Sequence, residues 1–482
     1  MSADAHHSTS GRFYITIPIF YPNAKLHLGH AFATTLADIL ARYHRLKEEQ
    51  VYFLTGADEN TEKVVRAAQA AGKSTRQYLD EIITGFQGLF GSLSISYDQF
   101  IRTSDEKRHW PGAAELWERL VAAGDIEKRT YEGLYCVGHE SFITEKDLVN
   151  GKCPDHEETP QKLKEENYFF KLSKYTAAIK EKIQSGEFSI VPETRKNEIL
   201  SVLDDGLEDV SFSRPAEKMS VGIPVPGDPS QKIYVWCDAL ANYVSALGFG
   251  SKDTELYEKF WPADVHVIGK DILRFHAAIW PGMLLSAGLP LPKALLVHGF
   301  LTSGGRKMSK TLGNVIDPLE LIEEYGAEAV RYYLARHISP FEDGDITKES
   351  FKEAYNANLA NGLGNLASRT LTMAENYNVS HHDSIISIED VDLNNFDIKR
   401  YMDKIWEGIQ TLDRKIQEEE PFKKYKTDKE IAIYVISELC SSLSVIAKRL
   451  EPVMPKTSEK ILSLLKDGRG VKPDAPLFPR KE

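Results

Sequence analysis

FYITIPIFYPNAKLHLGHAFATTLADILARYHRL, residues Phe13 to Leu46, is the stretch whose reading decides the fold. Its first five residues, Phe13-Tyr14-Ile15-Thr16-Ile17, are aromatic or β-branched and fit a pleated strand. Pro18 to Lys25 contain Pro22 and Asn23 and predict a loop. From Leu28 to Leu46 the apolar residues Leu36, Ile39, Leu40 and Tyr43 share one side of a helix. Val51-Tyr52-Phe53-Leu54 then predicts a second strand, ending at Gly56 and Asp58. Strand, helix and strand in this order predict an α/β parallel sheet that holds ligands beyond the carboxyl ends of its strands.

Further strands are predicted at Ile233-Tyr234-Val235-Trp236, Val265-His266-Val267-Ile268 and Ala294-Leu295-Leu296-Val297. Between about residues 119 and 225 the pattern breaks into Cys/His pairs, charges and short aromatic strands such as Tyr168-Phe169-Phe170, which predicts an inserted unit. From about Glu349 the chain reads as helical, with Ile431, Val435, Leu439, Ser442 and Ile446 at three-to-four spacing. The division expected is 1–118, 119–225, 226–348 and 349–482. A chain of 482 residues is too long for one core, which agrees with several domains.

Composition narrows the functional classes. The chain is 42% hydrophobic and 27% charged, and four cysteines do not make a disulfide framework. The first twelve residues lack the apolar core of a secretory signal. No membrane association and a reducing, cytoplasmic setting are therefore expected. A net charge of −12 argues against a surface that grips nucleic acid everywhere, although Lys423, Lys424 and Lys426 beside Glu418 to Glu420 allow a local basic patch.

Two short motifs carry the chemistry: His27-Leu28-Gly29-His30 and Lys307-Met308-Ser309-Lys310. The histidines lie where the first loop becomes a helix, a place with free N–H groups and a positive dipole end. Gly29 lets a ring or phosphate approach the backbone. The lysines follow a glycine-rich turn, Ser303-Gly304-Gly305-Arg306, which can bring ammonium groups to phosphates. Alone, a histidine pair reads as packing and a Lys-x-x-Lys as solvated surface. Together they predict two clamps on one triphosphate, stabilising charge in a transition state without covalent participation. No P-loop run is present and no nucleophile–base pair stands out, so the substrate's own carboxylate is the expected nucleophile.

Two Cys/His pairs, Cys136-Val137-Gly138-His139 and Cys153-Pro154-Asp155-His156, have the two-residue gap that turns both side chains toward one ion. Two thiolates and two imidazoles suit a tetrahedral structural Zn²⁺. The competing reading is a knuckle held by hydrogen bonds without metal.

The chain closely resembles the methionyl-tRNA synthetases. The resemblance runs through Pro18 to Ala24, Phe53 to Glu59, Tyr234-Val235-Trp236-Cys237-Asp238-Ala239-Leu240, Gly269-Lys270-Asp271-Ile272 and Arg306 to Asn314. It implies a Rossmann-like catalytic domain split by a zinc-knuckle insertion and followed by an α-helical anticodon-binding domain. It also implies adenylation of L-methionine with ATP and Mg²⁺, then transfer to the terminal adenosine of tRNA(Met), initiator tRNA included. His27, Gly29, His30, Lys307, Met308, Ser309 and Lys310 would bind ATP. Ile19, Tyr21, Asp58, Trp236, Ala239, Leu240, Tyr243, Ile272 and His276 would bind methionine.

Within the helical end, Asn365 and Arg369 share one helix face, and the resemblance makes them anticodon readers together with Phe422. Departures from the family are Asn60 and Thr61 for histidine and glycine, Leu240 for a frequent proline, His139 for cysteine and Phe422 for tryptophan. The resemblance stops near Pro476 to Arg480 without the dimerising extension of some relatives, which favours a monomer. Two other classes remain open at this point: a nucleotidyltransferase with a small-molecule product, and an inactive tRNA-binding scaffold.

Overall fold

The computed structural model describes residues 11–136, 141–143, 145, 148–154, 158–308, 314–380 and 391–482. The chain divides into two compact units, one of residues 1–25, 50–87 and 97–297, the other of 26–49, 88–96 and 298–482.

The first unit is built on a six-stranded sheet. Its spatial order is Gln99–Arg102, Gln50–Ala57, Arg12–Thr16, Val265–Gly269, Ala294–His298 and Ser189–Val191. Arg12–Thr16 pairs in parallel with Gln50–Ala57 and with Val265–Gly269, and Ala294–His298 pairs in parallel with Ser189–Val191. Every residue of Val265–Gly269 and Ala294–His298 is buried, the behaviour of parallel strands covered on both faces. At Gly56 a Cβ would lie 2.1 Å from the carbonyl oxygen of Ile101, so only glycine lets the neighbouring strand lie this close.

Two features depart from the sequence reading. Ile233-Tyr234-Val235-Trp236 does not extend the parallel sheet. Asp228–Ile233 is a strand of a separate three-stranded antiparallel sheet, Tyr234 is extended, and Val235 opens the helix Val235–Ser245. Aromatic and β-branched residues raise strand propensity, but burial of Ala239, Leu240 and Tyr243 on one helical face, with Trp236 partly buried beside them, outweighs it. Second, Ser189–Val191, inside the interrupted stretch, returns to the edge of the parallel sheet.

The rest of that stretch centres on a four-stranded antiparallel sheet in which Ile126–Cys136 pairs with Gln161–Phe170 over ten positions.

The second unit begins with the helix Leu28–Leu46 and contains, among the described residues, the helices Asn365–Asn376, Ile398–Glu419 and Lys429–Leu450. Its deepest ion pair joins Arg331 to Asp38 at 2.7 Å, with both side chains fully buried. Arg331 also donates to the carbonyls of Val453 at 2.7 Å, Pro452 at 2.8 Å and Leu93 at 3.2 Å. Burial pushes the Asp38 carboxyl up, but Arg331, Arg42 and Ser96 outweigh this and hold it below the usual carboxylate range. Lys429–Leu450 has the length and apolar composition of a membrane span, yet Val435, Leu439, Ser442 and Ile446 are buried within this unit, as expected of a core helix. Ile431, predicted on the same stripe, is 47% exposed at the start of the helix, where Ala432 beside it is the residue that is buried.

Candidate active site

In the first unit, a backbone clasp at the carboxyl end of Gln50–Ala57 sets the position of Asp58. Phe20 N–H donates to Gly56 O at 3.1 Å and Asp58 N–H donates to Phe20 O at 3.0 Å. Ile19 and Tyr21, on either side of Phe20, are thereby tied to the strand end that carries Asp58. Asp58 itself is buried, and the Lys63 ammonium lies 4.7 Å from the Tyr21 ring centre.

The helix Val235–Ser245 carries four more of the expected methionine contacts. Trp236, Ala239, Leu240 and Tyr243 recur at the spacing of one helical face. Trp236 stacks on Phe275 with ring centres 3.6 Å apart and planes 12° from parallel. The Tyr243 hydroxyl is 2.7 Å from His276 Nε2, and His276 Nδ1 is 3.0 Å from the carbonyl oxygen of Ile272. A carbonyl only accepts, so Nδ1 carries the proton and Nε2 accepts from the tyrosine. Burial lowers the His276 pKa to about 4, which keeps the ring neutral at pH 7, and it raises the Tyr243 phenol pKa. Behind them, His266 stacks on Tyr243 at 4.2 Å while bonding Thr16 at 2.6 Å, and Tyr14 donates to the Tyr243 carbonyl at 2.7 Å. His276 lies in a π-helical turn, Phe275–Ile279. Pro281 has no N–H with which to close an α turn there, and a widened turn re-aims the side chains it carries.

In the second unit, His27 is the N-cap of Leu28–Leu46. Gly29 N–H donates to His27 Nδ1 at 3.1 Å, and His27 N–H donates to His30 Nδ1 at 3.1 Å. With both Nδ1 atoms accepting, each neutral ring keeps its proton on Nε2. The rings are 3.9 Å apart. Burial lowers the pKa of both, that of His30 to about 3 with further lowering from His27 and His298. At Gly29 a Cβ would lie 2.9 Å from His27 Cε1, so glycine is what allows the capping ring to fold back.

Arg306–Lys307 pairs antiparallel with Leu301–Ser303 across Gly304 and Gly305, both with positive φ. Asp345 pins this hairpin by accepting from Thr302 Oγ1 at 2.7 Å and Gly305 N–H at 2.8 Å, which lowers its pKa. Lys307 is thus placed on the hairpin and Met308 follows it half-buried, whereas Ser309 and Lys310 lie outside the described residues.

Cys136 and Cys153 are each 1% exposed and form no disulfide. Cys136 pairs with Ser141, and Cys153 N–H donates to Glu158 O at 2.9 Å. His139 and His156 lie outside the described residues, and among the described residues no group of three or more side chains forms a metal cluster.

At the helical end, Asn365 is exposed, and Arg369 is partly exposed and paired to Asp413 at 2.8 Å. Phe422 is 40% exposed. A ten-residue π-helix, Tyr355–Gly364, leads directly into Asn365.

Sequence reasoning did not single out Phe275 or His298. Phe275 could have been found as an aromatic beside His276. His298, buried and 5.4 Å from the Phe32 ring, becomes a neighbour of His30 only through the fold.

The family described as tRNA synthetases class I (M) matches residues 13–163 and 147–371. The methionine–tRNA ligase of Clostridium acetobutylicum is 43% identical over 478 residues, covering 95% of this chain and 74% of the relative. That of Thermotoga maritima is 40% identical over 472 residues, covering 93% and 74%. A structure of Mycobacterium tuberculosis methionyl-tRNA synthetase in complex with methionyl-adenylate superposes with a TM-score of 0.90 at 35% identity, covering 98% of this chain and 100% of that one. The free-state structure of the same enzyme gives 0.83 at 33% identity, covering 99% and 100%. With the matched segments spanning the Asp58 clasp, the helix Val235–Ser245, the histidine pair and the lysine hairpin, this chain belongs to the class I methionyl-tRNA synthetases.

Proposed function

We propose that this chain joins L-methionine to ATP, forming methionyl-adenylate and pyrophosphate, and then passes the methionyl group to the 3′-terminal adenosine of tRNA(Met). The observation that carries the reading is the pair of neutral histidines. His27 and His30 are locked by their own backbone through Nδ1, which puts the proton of each neutral ring on Nε2 at a helix N-terminus, a chemistry suited to phosphate oxygens.

The geometry performs the first step as follows. The Asp58 carboxylate pairs with the substrate ammonium. The wall of Trp236, Ala239, Leu240 and Tyr243, with Ile19, Tyr21, Ile272 and His276, surrounds the thioether. Neutral His276 and the Tyr243 hydroxyl bring no charge into that wall, as an uncharged side chain requires. The methionine carboxylate oxygen attacks the α-phosphorus; the new O–P bond forms as the bridging bond to the β-phosphate breaks. Negative charge moves onto pyrophosphate, where the imidazole donors and Lys307 and Lys310 stabilise it. Mg²⁺ accompanies ATP as its usual counterion. In the second step a ribose hydroxyl of the tRNA attacks the methionyl carbonyl and AMP leaves.

Asn365, Arg369 and Phe422 serve as the anticodon reader, with Phe422 offering a ring for stacking and Arg369 a guanidinium for base edges. The division into a split catalytic domain, an insertion and a helical end belongs to this reading, as does a cytoplasmic setting, supported by four buried free cysteines. Cys136, His139, Cys153 and His156 hold a structural zinc. Two buried thiols fit such a site, and the ion would stabilise the fold of the insertion.

Pyrophosphate exchange into ATP across a panel of amino acids tests the reading. Exchange is expected with methionine and not with leucine, valine or cysteine. Exchange that prefers another amino acid would overturn it.

A further inference from the structure

The geometry points to Asn60 as a positioning residue for methionine, its carboxamide bracing the Asp58 loop against the back of the pocket helix Val235–Ser245. The inference rests on the proposed function and concerns a position where this chain departs from its family.

Asn60 is 4% exposed and held on several sides. Its backbone N–H and that of Glu59 donate to Thr103 Oγ1 at 3.3 and 2.8 Å. Its side-chain Nδ2 donates to Thr103 O at 2.9 Å and to Asp238 Oδ2 at 2.8 Å. Asp238 is wholly buried and is held from its other side, since His109 Nε2 lies 2.6 Å from Oδ1. His109 Nδ1 in turn bonds Ser245 Oγ at 2.8 Å, two turns along the same helix. At Gly112 a Cβ would lie 2.5 Å from Ser245 Cβ, so the helix Trp110–Ala122 is packed tightly on this back face.

Helical periodicity puts Asp238 and Ser245 opposite Trp236, Ala239, Leu240 and Tyr243. The helix is therefore held from behind while its front lines the pocket. Asn60, two residues after Asp58, links the ammonium partner to that helix by one buried hydrogen bond. It sets the distance between the anchor for the substrate's charged end and the wall for its thioether. A histidine here would place Nδ1 as far from Cβ as the asparagine Nδ2, so the frequent family residue can supply the same donor.

The test is pyrophosphate exchange with Asn60→Ala, Asn60→Asp and Asn60→His, each checked for folding by thermal melting. Asn60→Ala is expected to raise the methionine KM about tenfold, the size of one lost hydrogen bond to a carboxylate, with the ATP KM unchanged. Asn60→Asp sets two carboxyls against each other and is expected to raise it further. Asn60→His is expected to stay within about threefold of the wild type. Equal rises in both KM values, or an unchanged methionine KM with only a lowered melting temperature, would overturn the inference and leave Asn60 a structural residue. A wild-type protein without methionine-dependent exchange would instead defeat the underlying function. If Asn60→Ala fails to fold, Asn60→His and Asn60→Asp still decide the question by their contrast.

Discussion

Tyr243 donates its hydroxyl proton to His276 Nε2 across 2.7 Å, and the direction of that bond follows from the grip of the Ile272 carbonyl on His276 Nδ1. The phenol proton is thereby committed to the histidine. Tyr243→Phe would leave a buried acceptor unsatisfied, a cost of about 1–3 kcal/mol. The expected outcome is a methionine KM raised at least several-fold with the ATP KM unchanged, read by pyrophosphate exchange. An unchanged methionine KM would remove this pair from the pocket.

Stability should depend on pH through the buried neutral histidines. His276 is lowered to about 4 and His30 to about 3, whereas an unfolded histidine titrates near its ordinary 6.5. Below about pH 6.5 the unfolded chain binds protons that the folded chain refuses, so stability falls as pH drops from about 6.5 to about 4. Above 6.5 these groups contribute no slope. Urea unfolding at a series of pH values checks this, and His276→Gln should make the slope shallower.

Lys307→Ala or Lys310→Ala should slow adenylate formation about 10²–10³-fold, in line with about 2–4 kcal/mol for one preorganised transition-state contact. Methionine affinity, measured by calorimetry, should barely change. Equal losses in both would move these lysines from transition-state stabilisation to ground-state binding. Gly29→Ala should act in the same direction, because its Cβ would crowd His27 Cε1 at 2.9 Å.

Arg331→Met should destabilise the second unit strongly. It leaves Asp38 buried without its main counter-charge and the carbonyls of Val453 and Pro452 without their donor. Breaking one side of such a pair typically costs about 3–5 kcal/mol. Thermal melting of the purified variant reads the loss, and a shift of only a degree or two would contradict the account. Arg369→Ala, whose partner Asp413 sits at a partly exposed position, should leave melting and amino-acid activation intact while lowering tRNA charging.

Metal analysis of the purified chain should find one zinc per molecule, released by a strong chelator with loss of thermal stability. Cys136→Ser and Cys153→Ser should each abolish retention. A chain that folds normally and holds no zinc would support the hydrogen-bonded knuckle instead.

The strands beginning near Phe13, Val51, Val265 and Ala294 and the helix from Leu28 to Leu46 were legible because each carries a strong periodic or β-branched signal. The two clamps were legible as residue types at a helix start and after a glycine turn. Tyr234 to Ser245 was not, because a short apolar aromatic run has no period that separates strand from helix. What arbitrates there is the partner surface, and that surface comes from Tyr14, His266, Phe275 and His276, far away in sequence.

The first strand, helix and strand, the later strands near Val265 and Ala294, the histidine and lysine motifs and the family were therefore determined by local sequence, since each depends on neighbours within a few residues, whereas the helix Val235–Ser245 and the edge strand Ser189–Val191 were not. The neutral state of His276, the Nε2 donors of His27 and His30, and the brace from Asn60 to Asp238 were decided only in the folded molecule. Burial and long-range hydrogen bonds set these, and neither exists until segments such as Asn60 and Asp238, 178 residues apart, are brought together.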